Sequence, residues 1–344
     1  MIKCFEPSLS SMEEEAIKQC FADKQLGFGN KVHDFEKKFS LFSKKEFNIG
    51  LNSASAAAYI LFSYFKHKYG KCNVYTPSLT FASPTWAALK NDHNIIFVDV
   101  TDELLFDCDD YAKKRRSGKN IVMPMLYGGV TNIENFKIDP EDLVVLDSAH
   151  CVSPKMRHDY AFYSFHPVKP ICMSTGGMLS TNDNECAEYS LSYRNFGRLK
   201  KDSSYDIIQE GFKFYMTNID ASMGIVQLER CEQNIQKRKQ NYNFIKKELE
   251  GIRFINHDND SSYYLGTILK ENNFKIIEFL RDIGIECSFH YPPLHMTKFF
   301  KNGQSLKKTE KLKNEIINFP IHQELTTSQL RKVLKNLKEI IYVK

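Results

Sequence analysis

Short apolar runs rich in Val, Ile and Phe recur through the first half of the chain: NVYT (73–76), NIIFVDV (94–100), NIVMPML (120–126), LVVLD (143–147), AFYSF (161–165) and GMLST (177–181). Each is too short for a helix and too continuously apolar for a strand with one wet face, so each reads as a strand covered on both sides. Between several of them lie stretches with helical spacing, SASAAAYILFSYFKHK (53–68) and SPTWAALKND (83–92). Buried strands alternating with helices predict an α/β domain with a mostly parallel sheet.

After Asp220 the pattern changes. A long helical stretch, DASMGIVQLERCEQNIQKRKQNYNFIKKELEG, carries apolar residues at helical spacing and turns basic near residue 238. Beyond it, strands are expected near 253–255, 263–268 and 286–289, with helices near 274–283 and 326–340. The expectation is a large α/β domain over 1–235, including an N-terminal helical arm, and a smaller α+β domain over 236–344. No internal repeat, low-complexity tract or flexible linker interrupts the chain.

Composition narrows the function classes. With 344 residues, 42% hydrophobic and 13% aromatic, the chain can bury a large core. Its 47 basic and 42 acidic residues leave a net charge of +5 with the lysines scattered, so nucleic acid is not an expected partner. No run matches a signal peptide or a membrane span, which points to a cytoplasmic protein without a membrane partner. Nine cysteines, odd in number and never in a Cys-x-x-Cys arrangement, indicate reduced thiols and no metal site. The sequon-like Asn259-Asp260-Ser261 then has no glycosylating compartment to act in.

Candidate chemistry begins with Lys169 in SFHPVKPICMSTGG (164–177). Pro167 and Pro170 each fix a backbone φ and bias the preceding residue toward extended conformations, so the lysine is held in a stiff loop. That suits an amine forming a Schiff base, while a solvated loop lysine is the plain alternative. Asp147 ends the LVVLD strand, where open α/β sheets place their ligands; it could hold a pyridine nitrogen protonated or simply cap the next turn. His150 could donate to a cofactor oxygen or be a core histidine. Ser53 opens an alanine-rich helix whose first amides could receive a phosphate, or it is an ordinary N-cap. Phe81 could stack on a flat cofactor or belong to the core. GFGNKV (27–32) lacks the third glycine of a dinucleotide fingerprint, and His290 and His295 in HYPPLH are separated by two prolines and do not form a zinc pair.

In this order the small-residue helix start, Phe81, Asp147, the Ser-x-His-x-x-Lys run with its double glycine, and GFKFYMTNIDASMGIVQLER resemble the DegT/StrS group of sugar-nucleotide aminotransferases. The resemblance runs nearly end to end, from FEPSLSSMEEEAIKQCFADKQLGFGNKVHDFEKKF to FHYPPLHMTKFF and IINFPIHQELTTSQLRKVLKNL. It implies the fold type I architecture of pyridoxal 5'-phosphate enzymes: a mostly parallel central sheet of the seven-stranded type with helices on both faces, plus a small C-terminal domain. It makes Lys169 the Schiff-base lysine and Asp147 the partner of the pyridine nitrogen. Phe81 would stack on the ring, Ala54 and Ser55 would hold the phosphate with Ser164 nearby, and His150 would lie near the ring hydroxyl. Lys213, where many relatives have asparagine, would reach the phosphate of a neighbouring subunit in a homodimer. Substrate contacts fall on His166, Thr175, His290, Tyr291 and His295.

The activity so implied is ping-pong transamination between an amino donor, by family analogy L-glutamate, and a nucleotide-linked keto sugar, in amino-sugar and surface-polysaccharide biosynthesis. The alternatives are an aminotransferase for a small ketose phosphate and a cofactor-binding regulator without catalysis. A sugar dehydratase, in which relatives carry histidine at the lysine position, is opposed by Lys169. The usual Gly-Glu-Gly-Gly reads Ser174-Thr175-Gly176-Gly177 here, Ala54 stands where glycine is common, and the connection from His150 to Ser164 is short. Ser174 and Thr175 are therefore expected to bear on the choice of substrate.

Overall fold

Successive residues of a strand face opposite sides of a sheet, and here both sides are covered. In the central strand β5 (Leu143–Asp147), Val144 and Leu146 join the apolar cluster on one face while Val145 joins the cluster on the other. In its neighbour β6 (Tyr160–Ser164), Ala161 and Tyr163 divide from Tyr160 and Phe162 in the same way. Double coverage is why these segments lack polar alternation.

A computed structural model describes residues 1–201, 204–301 and 303–342. The central sheet adds β1 (Phe47–Leu51), β2 (Asn73–Pro77), β3 (Asn94–Val98), β4 (Asn120–Val122) and β7 (Gly177–Thr181). Its seven strands run in the order β1-β7-β6-β5-β4-β2-β3. All are parallel except β7, which pairs antiparallel with both β1 and β6. One face is covered by α2 (Asn30–Ser43), α5 (Cys108–Lys114) and the first half of α7 (Asn218–Lys246); α1 (Ser11–Ala22) lies outside them against α7. The other face is covered by α3 (Ala54–Tyr69), α4 (Ala82–Lys90) and α6 (Asn184–Tyr193). This is the mostly parallel α/β sandwich expected from the sequence.

A two-stranded hairpin, β8 (Arg198–Lys201) and β9 (Ser204–Ile207), projects beside it. Helix α7 then runs unbroken for 29 residues, through position 235. The C-terminal part forms a second core on an antiparallel sheet of β10 (Arg253–Phe254), β11 (Gly266–Leu269) and β12 (Ile316–Phe319), with α8 (Asn273–Asp282), α9 (Lys307–Leu312) and α10 (Thr327–Tyr342). The strand expected over 286–289 does not form. Ser288 makes one isolated antiparallel bridge to Asn318, and the chain then turns away so that His290 and Tyr291 reach the large sheet's ligand end. The third strand is instead β12, within IINFP, whose short apolar run carries no periodic signal of its own. All nine cysteines are unpaired, eight of them buried.

Candidate active site

The C-terminal ends of parallel strands are where backbone and helix N-termini leave room for a ligand. Here a cavity of about 380 Å³ opens at the ends of β5 and β6 and the start of β7. Its size is that of a small-ligand pocket. The alternation of β5 turns Asp147 toward the face covered by α3 and α4, and the first turns of both helices reach the cavity wall.

Lys169 lies in the loop between β6 and β7. That loop is closed at its base by Phe165 N donating to Gly176 O at 3.0 Å and Met173 N donating to Phe165 O at 2.8 Å. Within it Lys169 N donates to His166 O at 2.8 Å, a tight turn bounded by the two prolines. The side-chain nitrogen rests 4.1 Å from the centre of the Tyr264 ring. Loss of solvent around the amine lowers its pKa to about 7; Asp147 opposes the shift and the buried Arg238 adds to it. Near neutrality a substantial fraction of Lys169 is therefore an unprotonated nucleophile.

Asp147 is 3% exposed. Among the described residues, the one hydrogen bond its carboxylate accepts comes from Ala149 N, at 3.0 Å. Burial raises its pKa to about 6, against the pull of the Ala149 amide and Lys169. A buried carboxylate with so few donors favours a cationic partner.

The β1–α3 turn supplies the other wall. Ser53 caps α3, accepting from Ala56 N at 3.1 Å, and Ala54 and Ser55 line the cavity. Gly177 makes this turn possible. A Cβ there would lie 2.2 Å from Ser53 C and 2.4 Å from Ala54 N, so only glycine lets β7 pass so close to the helix start. Ser83, from the first turn of α4, meets Ser55 hydroxyl to hydroxyl at 2.5 Å. Phe81, 59% exposed, stands at the rim before α4, 5.9 Å between ring centres from Tyr291.

Of the residues expected from the sequence, Ala54, Ser55, Phe81, Asp147, Ser164, His166, Lys169, Thr175, His290 and Tyr291 line this one cavity. Three do not. His150 is buried behind the wall, where its Nε2 pairs with the Tyr291 hydroxyl at 2.8 Å; burial, with Lys169 and His290 as further causes, holds its pKa well below the usual imidazole value. His295 is buried on Ser78, Nδ1 to Oγ at 2.6 Å, with Glu310 on its other nitrogen at 3.3 Å. It anchors the 290–296 segment and does not face the cavity. Lys213 is exposed outside its own chain's cavity, its carbonyl receiving Asn52 Nδ2 at 3.3 Å. The two departures from the family pattern also divide. Thr175 lines the cavity and donates to Asn52 O at 2.7 Å, whereas Ser174 donates to Asp220 at the start of α7 and lies outside the lining.

Sequence reading missed Ser83, Met125, Val168 and Tyr264. Ser83 follows Phe81 by two residues and could have been found from the helix start. Tyr264 comes from the C-terminal part of the chain, just before β11, and nothing in SSYYLG marks it.

The profile of the DegT/DnrJ/EryC1/StrS aminotransferases matches residues 7–338. The chain belongs to this family. A UDP-4-amino-4,6-dideoxy-N-acetyl-beta-L-altrosamine transaminase of Campylobacter jejuni is 26% identical over 373 residues, covering 99% of this chain and 98% of that protein. Helicobacter pylori PseC, an aminotransferase involved in the biosynthesis of pseudoaminic acid, superposes with a TM-score of 0.92 at 23% identity, covering 99% of each chain. The pyridoxal phosphate form of a putative sugar aminotransferase, Spr1654 from Streptococcus pneumoniae, gives 0.90 at 22% identity over 98% of each. As a DegT-family aminotransferase the protein uses pyridoxal phosphate. The cavity fits that group: an under-bonded buried carboxylate for a pyridinium, a helix start for a phosphate, an exposed ring at the rim and a lysine of lowered pKa.

Proposed function

We propose that this DegT-family enzyme moves an amino group from L-glutamate to the keto carbon of a nucleotide-linked sugar, for amino-sugar or surface-polysaccharide synthesis. The observation that carries the reading is that Lys169, with its pKa near 7, opens into the same cavity as the buried Asp147. The substrate class follows the relatives, whose names describe transaminases of nucleotide-linked sugars.

Pyridoxal phosphate, when bound, supplies an electron sink for the carbon that gains or loses the amino group. The chain's residues do the rest. Lys169 would hold the cofactor and, as a free amine, would take up at Nζ the proton from the carbon that loses its amino group and, in the second half of the reaction, return one to the carbon that gains it. Asp147 would keep the pyridine nitrogen protonated. The first amides of α3, with Ser55 and Ser164, would receive the phosphate, and Phe81 would cover the ring. Tyr291 lines the cavity with its hydroxyl held by neutral His150 behind the wall. His166, Thr175 and His290 bound the space left for substrate. In this reading Lys213 completes the phosphate site of a second copy, supported by its exposure and by that of the apolar side chains Tyr205, Ile207, Ile208 and Phe212 in the segment leading to it, which a homodimer would cover.

The test is a panel of nucleotide-linked keto sugars and ketose phosphates, scored by 2-oxoglutarate released from glutamate. Turnover of at least one nucleotide sugar, abolished by Lys169→Ala together with the visible absorbance of the loaded protein, is the expected result. Turnover of ketose phosphates alone would replace the substrate class, and absorbance unchanged in Lys169→Ala would remove the lysine assignment.

A further inference from the structure

Two segments lead outward from the cavity rim and meet again on the surface. Helix α4 starts after Phe81 and carries Trp86, about 6 Å along its axis from Ala82. The other segment passes from Tyr291 through two prolines and the turn Leu294–Met296 to Phe299 and Phe300. Where they meet, the Trp86 ring lies 4.2 Å from Phe299 and 5.0 Å from Phe300, centre to centre, and Phe300 packs edge-on against Phe97 of edge strand β3. Phe299 is 65% exposed and Met296 is exposed beside it.

The arrangement is fixed from beneath. Leu294 N donates to Ser78 O at 2.9 Å, His295 pairs with Ser78, and Gln304 Nε2 donates to Phe97 O at 2.7 Å. The exposed ring therefore sits on a rigid base, and little order is lost when a flat ligand covers it. Lys298 and Lys301 are exposed on either side of Phe299, and neither has an ion-pair partner among the described residues. An apolar ring between two unneutralised cations suits a ligand with both a π-face and negative charge. It suits a subunit contact poorly, because charged residues, lysine above all, are depleted from the centres of such interfaces.

We propose that Trp86 and Phe299 form the platform on which the nucleobase of the sugar nucleotide stacks, with Lys298 and Lys301 facing its diphosphate while the sugar enters the cavity past Phe81 and Tyr291. This rests on the nucleotide-sugar reading above and adds the place where the nucleotide is held. Neither the cofactor nor glutamate needs this surface, so its effect falls on one half of the reaction.

Trp86 is the only tryptophan in the chain, so its fluorescence reports on this surface alone. Pyridoxal phosphate-loaded enzyme titrated with UDP, dTDP or GDP should show saturable quenching by at least one, and none with pyrophosphate. Phe299→Ala should weaken that nucleotide at least tenfold, as expected for loss of one stacked base. It should raise KM for the nucleotide sugar similarly and leave the rate of the glutamate half-reaction unchanged. Lys298→Ala with Lys301→Ala should weaken binding and flatten its salt dependence. Unaltered nucleotide affinity and KM in these variants would overturn the platform while leaving the nucleotide-sugar reading intact. Absence of both nucleotide binding and nucleotide-sugar turnover would remove the two together. If Phe299→Ala instead dissociates the oligomer with nucleotide affinity unchanged, the patch is a subunit contact and the proposal fails.

Discussion

The side-chain nitrogen of Lys169 sits 4.1 Å from the centre of the Tyr264 ring, so a residue of the C-terminal part of the chain lies against the reactive amine of the loop between β6 and β7. Loss of solvent around the amine lowers its pKa to about 7 against the pull of Asp147, and a ring face at this distance attracts the protonated form.

Capture of pyridoxal phosphate by the apoprotein should therefore accelerate from pH 6 to 8 and level off, whereas an ordinary lysine would keep gaining beyond pH 10. Tyr264→Phe keeps the ring and should retain this profile. Tyr264→Leu removes the π-face and should shift the midpoint down by up to about one unit. Trinitrophenylation of Lys169 in the apoprotein against pH measures both.

Asp147 gives a stability prediction with a definite sign. The unfolded chain ionises this carboxyl near its ordinary 3.8, while the folded protein holds the proton until about 6. Between those values the native state binds more protons than the unfolded state, so the group's contribution to stability falls as pH rises and is fully lost above about 6. Asp147→Asn should make the apoprotein more stable at pH 8 by up to about 3 kcal/mol and leave it little changed at pH 3. The same variant should lose most transaminase activity. Thermal melts of the apoprotein from pH 3 to 8 check the first point.

Gly177→Ala places a methyl group against the Ser53–Ala54 peptide. Displacing the start of α3 should cost about 1–3 kcal/mol in stability and, if that turn holds the phosphate, weaken pyridoxal phosphate at least tenfold. Phosphate-free pyridoxal should lose far less affinity, which separates a damaged phosphate seat from general unfolding.

If Lys213 serves a neighbouring subunit, Lys169→Ala and Lys213→Ala homodimers should each be impaired, and subunit exchange between them should restore activity to about a quarter of wild type. The estimate assumes random pairing in a twofold dimer, where half the dimers are hybrids with one intact site of two. No recovery on mixing would place Lys213 outside the shared site.

Much of the seven-stranded sheet was legible because its determinants are local. A strand covered on both faces must be apolar throughout, so LVVLD and AFYSF announced themselves, and Asp147 stood out as the charge ending such a run. The prolines beside Lys169 stiffen their own neighbours whatever surrounds them. The C-terminal sheet was less legible: β12 gave no periodic signal, and 286–289 looked like a strand although only Ser288 pairs.

What the chain determined by itself was residue chemistry and local conformation: which segments extend, where helices start, which lysine is held stiffly, and the family pattern those residues share. Tertiary structure decided distances and solvent. Only the folded chain sets Tyr264 beneath Lys169, gives the lysine a pKa near 7 and Asp147 one near 6, and turns His295 into an anchor on Ser78 where a substrate contact was expected. The physical reason is that burial and long-range proximity depend on how distant segments pack. A titrating group responds to that packing, and the residues adjacent to it in the chain carry no record of it.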